Sequence, residues 1–204
     1  MAFPSRGVPV LAAAARPADP RSRLRRRPAD ARSRFPGPQV VGIDPSPAMV
    51  AAAHEADPEG EYVEADAARL PFDGGAADLA LAFMSLMDMD DMPAALHEIA
   101  RVLRPEAPLT VVHPLNSASL PRSDSEESGV VIRSYRERRR YTETIERNSL
   151  EMTFESMHYS LEDYWRALRD ARFVVEDLRE LYDDAHPRWH SVPLFLRFDA
   201  RKPA

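Results

Sequence analysis

Apolar and polar positions alternate with two different periods along most of this chain. Val40–Asp44, Glu61–Ala65, Ala77–Phe83 and Leu109–Val112 are short runs rich in apolar and β-branched residues, and they read as buried strands. Between them the period lengthens to that of a helix. Pro47–Glu55 sets Met49, Val50 and Ala53 on one side, with Ser46 as N-cap and Pro47 at the first helical position. Ala95, Leu96, Ile99, Val102 and Leu103 stripe a second helix, which Asp90 and Asp91 cap and Pro105 ends. Asp57–Gly60 and Asp73–Gly75 read as turns, and 67–72 as an irregular segment. Apolar strands alternating with amphipathic helices predict an α/β fold, a Rossmann-like, mostly parallel sheet with flanking helices.

Beyond Pro114 the pattern changes. Residues 115–129 are polar, with an acidic, Ser-rich patch at 123–128, and read as a loop. Tyr135–Ile145 and Leu150–His158 alternate around Asn148-Ser149, which predicts an antiparallel hairpin. Ser160 and Asp163 have the spacing of a capping box ahead of a helix striped by Leu161, Tyr164, Trp165, Leu168 and Ala171. Phe173–Glu180 and Leu194–Asp199 are the last expected strands, joined by a loop over 182–190.

Residues 1–39 share none of this order. They hold nine Arg, two Asp and seven Pro; Val8–Ala14 has the composition of a strand or a short helix, but Pro9 argues against a central strand. The remainder carries a balance of −13, an acidic body that disfavours nucleic-acid binding. A transit peptide is disfavoured by the prolines and a basic arm by the lack of interleaved aromatics. The expectation is a poorly ordered segment foreign to this fold, such as a frameshift or misplaced start would produce, followed by one domain over 40–204 with a cap insert at about 115–160. There is no cysteine, which removes disulfides, thiolate metal sites and cysteine nucleophiles, and no metal site is expected. No apolar run is long enough to span a bilayer, so no membrane partner is expected and the location is read as cytoplasmic.

The candidate chemistry lies at strand ends. Asp44 closes one strand and Asp66 follows another; in an open parallel sheet, ligands bind outside the carboxyl ends of the strands. A carboxylate at Asp44 can accept from both hydroxyls of a ribose, and Asp66 can accept from an adenine amino group. Met49 and Leu70 are candidates to flank the ring. Asp44 also has a purely local reading, as a turn residue ahead of a helix.

Four blocks, VVGIDPSPAMV (40–50), EYVEADAARLPF (61–72), ADLALAFMSLMDMDDMPAALHEIARVLRP (77–105) and LFLRFDARKP (194–203), occur in this order. Together they resemble the class I S-adenosylmethionine-dependent methyltransferases, in the small-molecule type 11 branch. The hairpin and helix at 141–168 are similar to the substrate-covering insert of some members. The resemblance implies S-adenosylmethionine as cofactor and a small-molecule methyl acceptor. It implies that Asp44 holds the ribose, with Pro45 and Met49 beside it. Asp66 with Ala67 would hold the adenine, and the Phe83–Met84 backbone the methionine end. No catalytic residue is assigned; His113, just past the fourth strand, is a weak candidate for a general base. His158, Tyr159, Tyr164 and Trp165 read as packing, His186 and His190 as loop residues, and 136–140 as a solvated face.

The departures are specific. The family's first strand and its glycine loop belong about 20 residues before the acidic strand end. Here that place is 21–27, Arg-rich and without glycine. That strand is the central one, between 40–44 and 77–83, and it is expected to be absent or non-native. Without it, each unpaired ladder group costs about 1–3 kcal/mol. Glu106-Ala107 stands where the family has Gly-Gly, and Ala171-Arg172-Phe173 where Ala-Gly-Phe is usual. Two alternatives stay open: a nicotinamide-dependent oxidoreductase, which shares the ribose carboxylate, and a non-catalytic remnant that binds no cofactor.

Overall fold

The computed structural model describes residues 10–15, 39–114, 135–147, 150–182, 193 and 195–204. In chain order the strands are β1 (Val10–Ala15), β2 (Gln39–Asp44), β3 (Glu61–Glu64), β4 (Ala77–Phe83), β5 (Pro108–Pro114), β6 (Arg139–Arg147), β7 (Leu150–His158), β8 (Val174–Leu181) and β9 (Phe195–Arg201). The helices are α1 (Pro47–Ala56), α2 (Met92–Val102) and α3 (Leu161–Asp170), and a 3-10 turn spans Leu86–Asp88. Seven strands form one sheet in the order β3-β2-β1-β4-β5-β9-β8, while β6 and β7 pair as a separate hairpin.

The pairs β2–β3 and β4–β5 are parallel, and β9 is antiparallel to both β5 and β8. Five of the seven strands therefore point the same way. The exceptions are β9, the expected C-terminal antiparallel strand, and β1.

The central position is filled, and by a strand of reversed direction. Val10–Ala15 pairs antiparallel with β2 (Leu11 opposite Ile43, Ala14 opposite Val40) and with β4 (Val10 opposite Phe83, Ala14 opposite Leu79). The ladder groups expected to lack partners on β2 and β4 find them here. Pro9 does not interfere, because the strand begins one residue after it. Direction matters more than occupancy. Ala15 pairs with Gln39, so the chain leaves β1 and enters β2 at the end of the sheet opposite Asp44. A loop following β1 therefore starts about 17 Å from the carboxyl tip of β2, at 3.3–3.4 Å per strand residue.

Alternation along the strands sorts the core. Val41 and Ile43, Ala80 and Ala82, Leu109 and Val111, and Leu196, Phe198 and Ala200 are buried with Leu96 and Ile99 of α2 and Leu168 of α3. α1 lies against β2 and β3 and buries none of its residues. Val40 and Leu79, on the alternate positions of β2 and β4, are exposed.

Local chemistry explains the helix ends. The Ser46 hydroxyl accepts from the Met49 N–H (3.4 Å), capping α1. For α2 the cap is Asp91 alone, accepting from the Ala94 N–H (3.0 Å), whereas Asp90 pairs with Arg140. The capping box of α3 forms as its spacing predicts: Ser160 accepts from the Asp163 N–H (3.2 Å) and Asp163 from the Ser160 N–H (2.9 Å). The buried stripe of α3 is Tyr164, Ala167 and Leu168, and Trp165 points outward, a third of a turn from the sheet-facing row.

The hairpin strand β6 begins at Arg139 instead of Tyr135. Tyr135 is held in a turn: its carbonyl accepts from His158 Nε2 (2.8 Å) and its hydroxyl from the Leu161 N–H (2.9 Å). The predicted loop at 115–129, the turn at 148–149 and His186 and His190 lie outside the described residues.

Glu106 and Arg172 adopt left-handed backbone, with φ of 66° and 65°. These are the two places where the resemblance calls for glycine. Each side chain there costs about 1–2 kcal/mol relative to an unstrained conformation. At Arg172 the geometry still closes the end of α3, because the Phe173 N–H reaches the Leu168 carbonyl (2.9 Å).

Candidate active site

The carboxyl ends of β2, β3, β4 and β5 share one edge of the sheet, since all four strands run the same way. Asp44 ends β2 and is buried. One carboxylate oxygen, Oδ1, accepts from the Ser46 N–H (2.8 Å), and the Asp44 carbonyl accepts from the Ala65 N–H (3.1 Å). The second carboxylate oxygen has no partner among the described residues. Burial pushes the Asp44 carboxyl above its usual range, and the Ser46 N–H pulls partly the other way. Pro45 is exposed, and Met49, in the first turn of α1, lines a shallow hollow with Gly42, Asp44 and Tyr62.

Asp66 lies two residues past the tip of β3, whose Glu64 is in register with Asp44. The two aspartates therefore stand at adjacent strand ends on the same edge. Asp66 is exposed, and its Oδ1 accepts from the Ala68 N–H (2.9 Å) in a local turn. The segment that follows is tied to α2. Glu98 Oε1 accepts from the Leu70 N–H (2.9 Å), and Arg101 donates to the carbonyls of Leu70 (3.2 Å) and Phe72 (2.8 Å). Hydrogen bonding from Arg101 outweighs desolvation and holds the Glu98 carboxyl below its usual range. Ala67 and Leu70 are buried beneath this clamp.

β1 separates β2 from β4, so Phe83 stands two strand spacings, about 10 Å, from the tip of β2. Met84 follows with φ of 54°, and its N–H donates to the Val112 carbonyl (2.8 Å). Left-handed backbone at a buried, unbranched residue just past a strand end is a strained turn, the kind found at functional sites.

His113, at the end of β5, is buried and stacks on Tyr164 of α3 with ring centroids 4.0 Å apart. Desolvation, with His158 nearby, lowers its pKa to about 3. The ring is thus neutral at pH 7. Burial also drives the Tyr164 hydroxyl well above its ordinary value, so it stays protonated. Neither nitrogen of His113 has a hydrogen-bond partner among the described residues, nor do the Tyr164 hydroxyl and the Ser85 hydroxyl.

This burial has a consequence for stability. Between pH 6.5 and about 3 the unfolded chain protonates at position 113 and the folded one does not. Stability is therefore full above pH 6.5 and falls by about 1.4 kcal/mol per pH unit below it, until the folded pKa is reached. Urea unfolding of His113→Leu at pH 7 and pH 5 is expected to show a shallower acid loss than the parent chain. Equal losses would contradict it.

Sequence reasoning thus places Asp44, Asp66, Phe83 and Met84 on one edge, with Ala67 and Met49 behind them, and His113 further along it. It missed Ser85, which carries no motif, and it read Tyr164 as helix packing. Only the absence of partners in three dimensions marks either residue. His158 and Tyr159 do pack under the hairpin; the Tyr159 hydroxyl donates to the carbonyls of Met89 (3.2 Å) and Asp90 (3.3 Å).

The fold is the one seen in solved structures of S-adenosylmethionine-dependent methyltransferases. A structure of such a methyltransferase from Mesorhizobium loti superposes with a TM-score of 0.60 over 79% of each chain, at 21% identity. Residues 27–111 match the family model of a methyltransferase domain. Within it the chain is 39% identical over 85 residues to the demethylmenaquinone methyltransferase of Thermus thermophilus, covering 40% of this chain and 39% of that protein. It is also 39% identical over 84 residues to the trans-aconitate 2-methyltransferase of Paracidovorax citrulli, covering 41% of this chain and 32% of that one. The matched part thus spans about 32–39% of the length of these relatives. Among the described residues no helix is long and apolar enough to cross a membrane.

Proposed function

We propose that this chain binds S-adenosylmethionine at the edge formed by β2, β3 and β4 and transfers its methyl group to a small molecule in the cytoplasm. The observation that carries this reading is the Asp44 carboxylate: buried, fixed through one oxygen by Ser46, and with its second oxygen unpartnered among the described residues. That is the donor–acceptor complement of a ribose diol. Asp66 and Ala67 stand beside it for the adenine, Met49 and Leu70 supply apolar flanks, and the Met84 turn offers backbone to the methionine end.

The cofactor supplies a methyl group already activated on a sulfonium. What remains for the protein is to hold the acceptor in line and to keep water out. A base is needed only for a weakly acidic acceptor; His113, neutral at pH 7 with its pKa lowered to about 3, can accept a hydrogen bond there but is a poor acceptor of the proton itself. The methionine end is held less completely than in the resembled family, because the chain after β1 starts at the wrong end of the sheet to form a glycine loop over it. We infer that cofactor affinity is reduced accordingly.

The same reversal favours a second reading, a domain that keeps the sheet and binds no nucleoside. Calorimetric titration with S-adenosylhomocysteine and, separately, NAD distinguishes the cases. Heat with S-adenosylhomocysteine alone is expected. Binding of NAD in its place would favour an oxidoreductase, and silence with both would favour the remnant. The relatives, a demethylmenaquinone methyltransferase and a trans-aconitate 2-methyltransferase, leave two acceptor chemistries open.

A further inference from the structure

Among the described residues, the buried side-chain polar atoms without a hydrogen-bond partner number four, and they belong to three residues: Ser85 Oγ, His113 Nδ1 and Nε2, and the Tyr164 hydroxyl. Folded proteins pair nearly all such atoms, since each orphan carries the full cost of its desolvation. Here the orphans converge on one place. His113 and Tyr164 are in face-to-face contact. Met84 is hydrogen-bonded to Val112, which sets Ser85 alongside His113 at neighbouring strand ends. All three residues are more than nine-tenths buried.

The site lies beside the edge assigned above to the cofactor and is roofed by the hairpin. Ser156 of β7 donates to Asp88, and Arg140 of β6 pairs with Asp90, fastening the hairpin to the turn that follows Ser85. Entry of a ligand requires these contacts to part.

We propose that Ser85, His113 and Tyr164 bind the hydroxyl or carbonyl group of a neutral, planar methyl acceptor of the phenol class, and that the site rejects carboxylates. This rests on the methyltransferase reading and names the acceptor within it. The orphan set consists of two hydroxyls, each donor and acceptor, and an imidazole offering one donor and one acceptor. That set complements a hydroxyl or carbonyl. It contains no cation, and the nearest arginines of the hairpin are engaged: Arg138 with Asp163, Arg140 with Asp90 and Glu155. Burial is the main cause that keeps the Tyr164 hydroxyl protonated, with the Asp88 and Asp163 carboxylates acting in the same direction. A carboxylate would enter this buried site without a cation to pair with. The rings of His113, Tyr164 and Phe198 stack in series, so the surroundings of the orphan groups are aromatic and apolar.

The test uses the full chain and two matched probes, 2-naphthol and 2-naphthoate, titrated by calorimetry with and without S-adenosylhomocysteine. The naphthol is expected to bind at least tenfold more tightly than the naphthoate. Tyr164→Phe removes only the orphan hydroxyl, so its thermal midpoint is expected to hold or rise while naphthol affinity falls about tenfold, the worth of one hydrogen bond. Ser85→Ala is expected to behave the same way. Equal or stronger binding of the naphthoate, no binding of the naphthol, or naphthol binding unchanged in both variants would overturn the proposal. Failure of S-adenosylhomocysteine to bind while naphthol binding persists and responds to both variants would instead sink the cofactor assignment and leave this site standing.

Discussion

Replacing Asp44 with asparagine is expected to weaken binding of S-adenosylhomocysteine by about a hundredfold without destabilising the fold. A ribose diol donates to the carboxylate, and hydrogen bonds to a charged acceptor contribute about 1.5–3 kcal/mol each. Asparagine keeps one carbonyl oxygen. That oxygen can still accept from the Ser46 N–H, which holds the turn into α1. What it loses is the charge and the second acceptor. Because burial already strains the ionised form of Asp44, the amide also relieves a desolvation cost, so the urea midpoint should hold or rise. Loss of binding with retained stability separates a ligand contact from a structural turn residue.

The pH dependence carries the same sign. Hydroxyl donors favour the carboxylate, so affinity falls as pH drops through the raised Asp44 pKa, beginning at higher pH than for an ordinary aspartate. Asp66→Asn is expected to cost about tenfold or less, since Asp66 is exposed and one of its oxygens serves the Ala68 N–H. Calorimetry on both variants checks the order. An Asp44→Asn chain that binds like the parent would return Asp44 to its local role at the turn.

The largest stability effect is expected at Phe198. Its side chain is fully buried in the middle of β9, opposite Val111 on one side and Leu178 on the other, and stacks on Tyr164 with centroids 6.1 Å apart. Phe198→Ala removes that volume where sheet and α3 meet, and should cost about 3–5 kcal/mol. That is a large part of the 5–15 kcal/mol a domain of this kind has in total. Leu178→Ala, partly exposed at the sheet edge on β8, should change stability by far less, about 1 kcal/mol or less. Paired urea denaturation curves measure the difference. A small effect at Phe198 would mean that β9 and α3 do not form one core.

Much of this arrangement was legible along the chain. The strands 40–44 and 77–83 stand where their apolar runs predict, with β2 starting one residue earlier at Gln39, because each run is bounded by the turn residues beside it. The capping box at Ser160 and the stripe through Tyr164 and Leu168 are equally local signals. Trp165 shows the limit of such reading: a large apolar residue next to a stripe looks like part of it until the helix is docked. Asp90 shows another, since two adjacent aspartates compete for one cap and the loser is decided by Arg140, fifty residues away.

Residue order alone determined the strand–helix alternation, the acidic strand ends and the two glycine-deficient turns at Glu106 and Arg172, because each depends on neighbours within a few positions. Tertiary structure alone decided that Val10–Ala15 takes the central place and runs backwards in it, since strand direction follows from which partners a segment meets and not from its own composition. It alone left the side-chain polar atoms of Ser85, His113 and Tyr164 without hydrogen bonds among the described residues, because whether a buried polar group is satisfied depends on what distant segments bring to it.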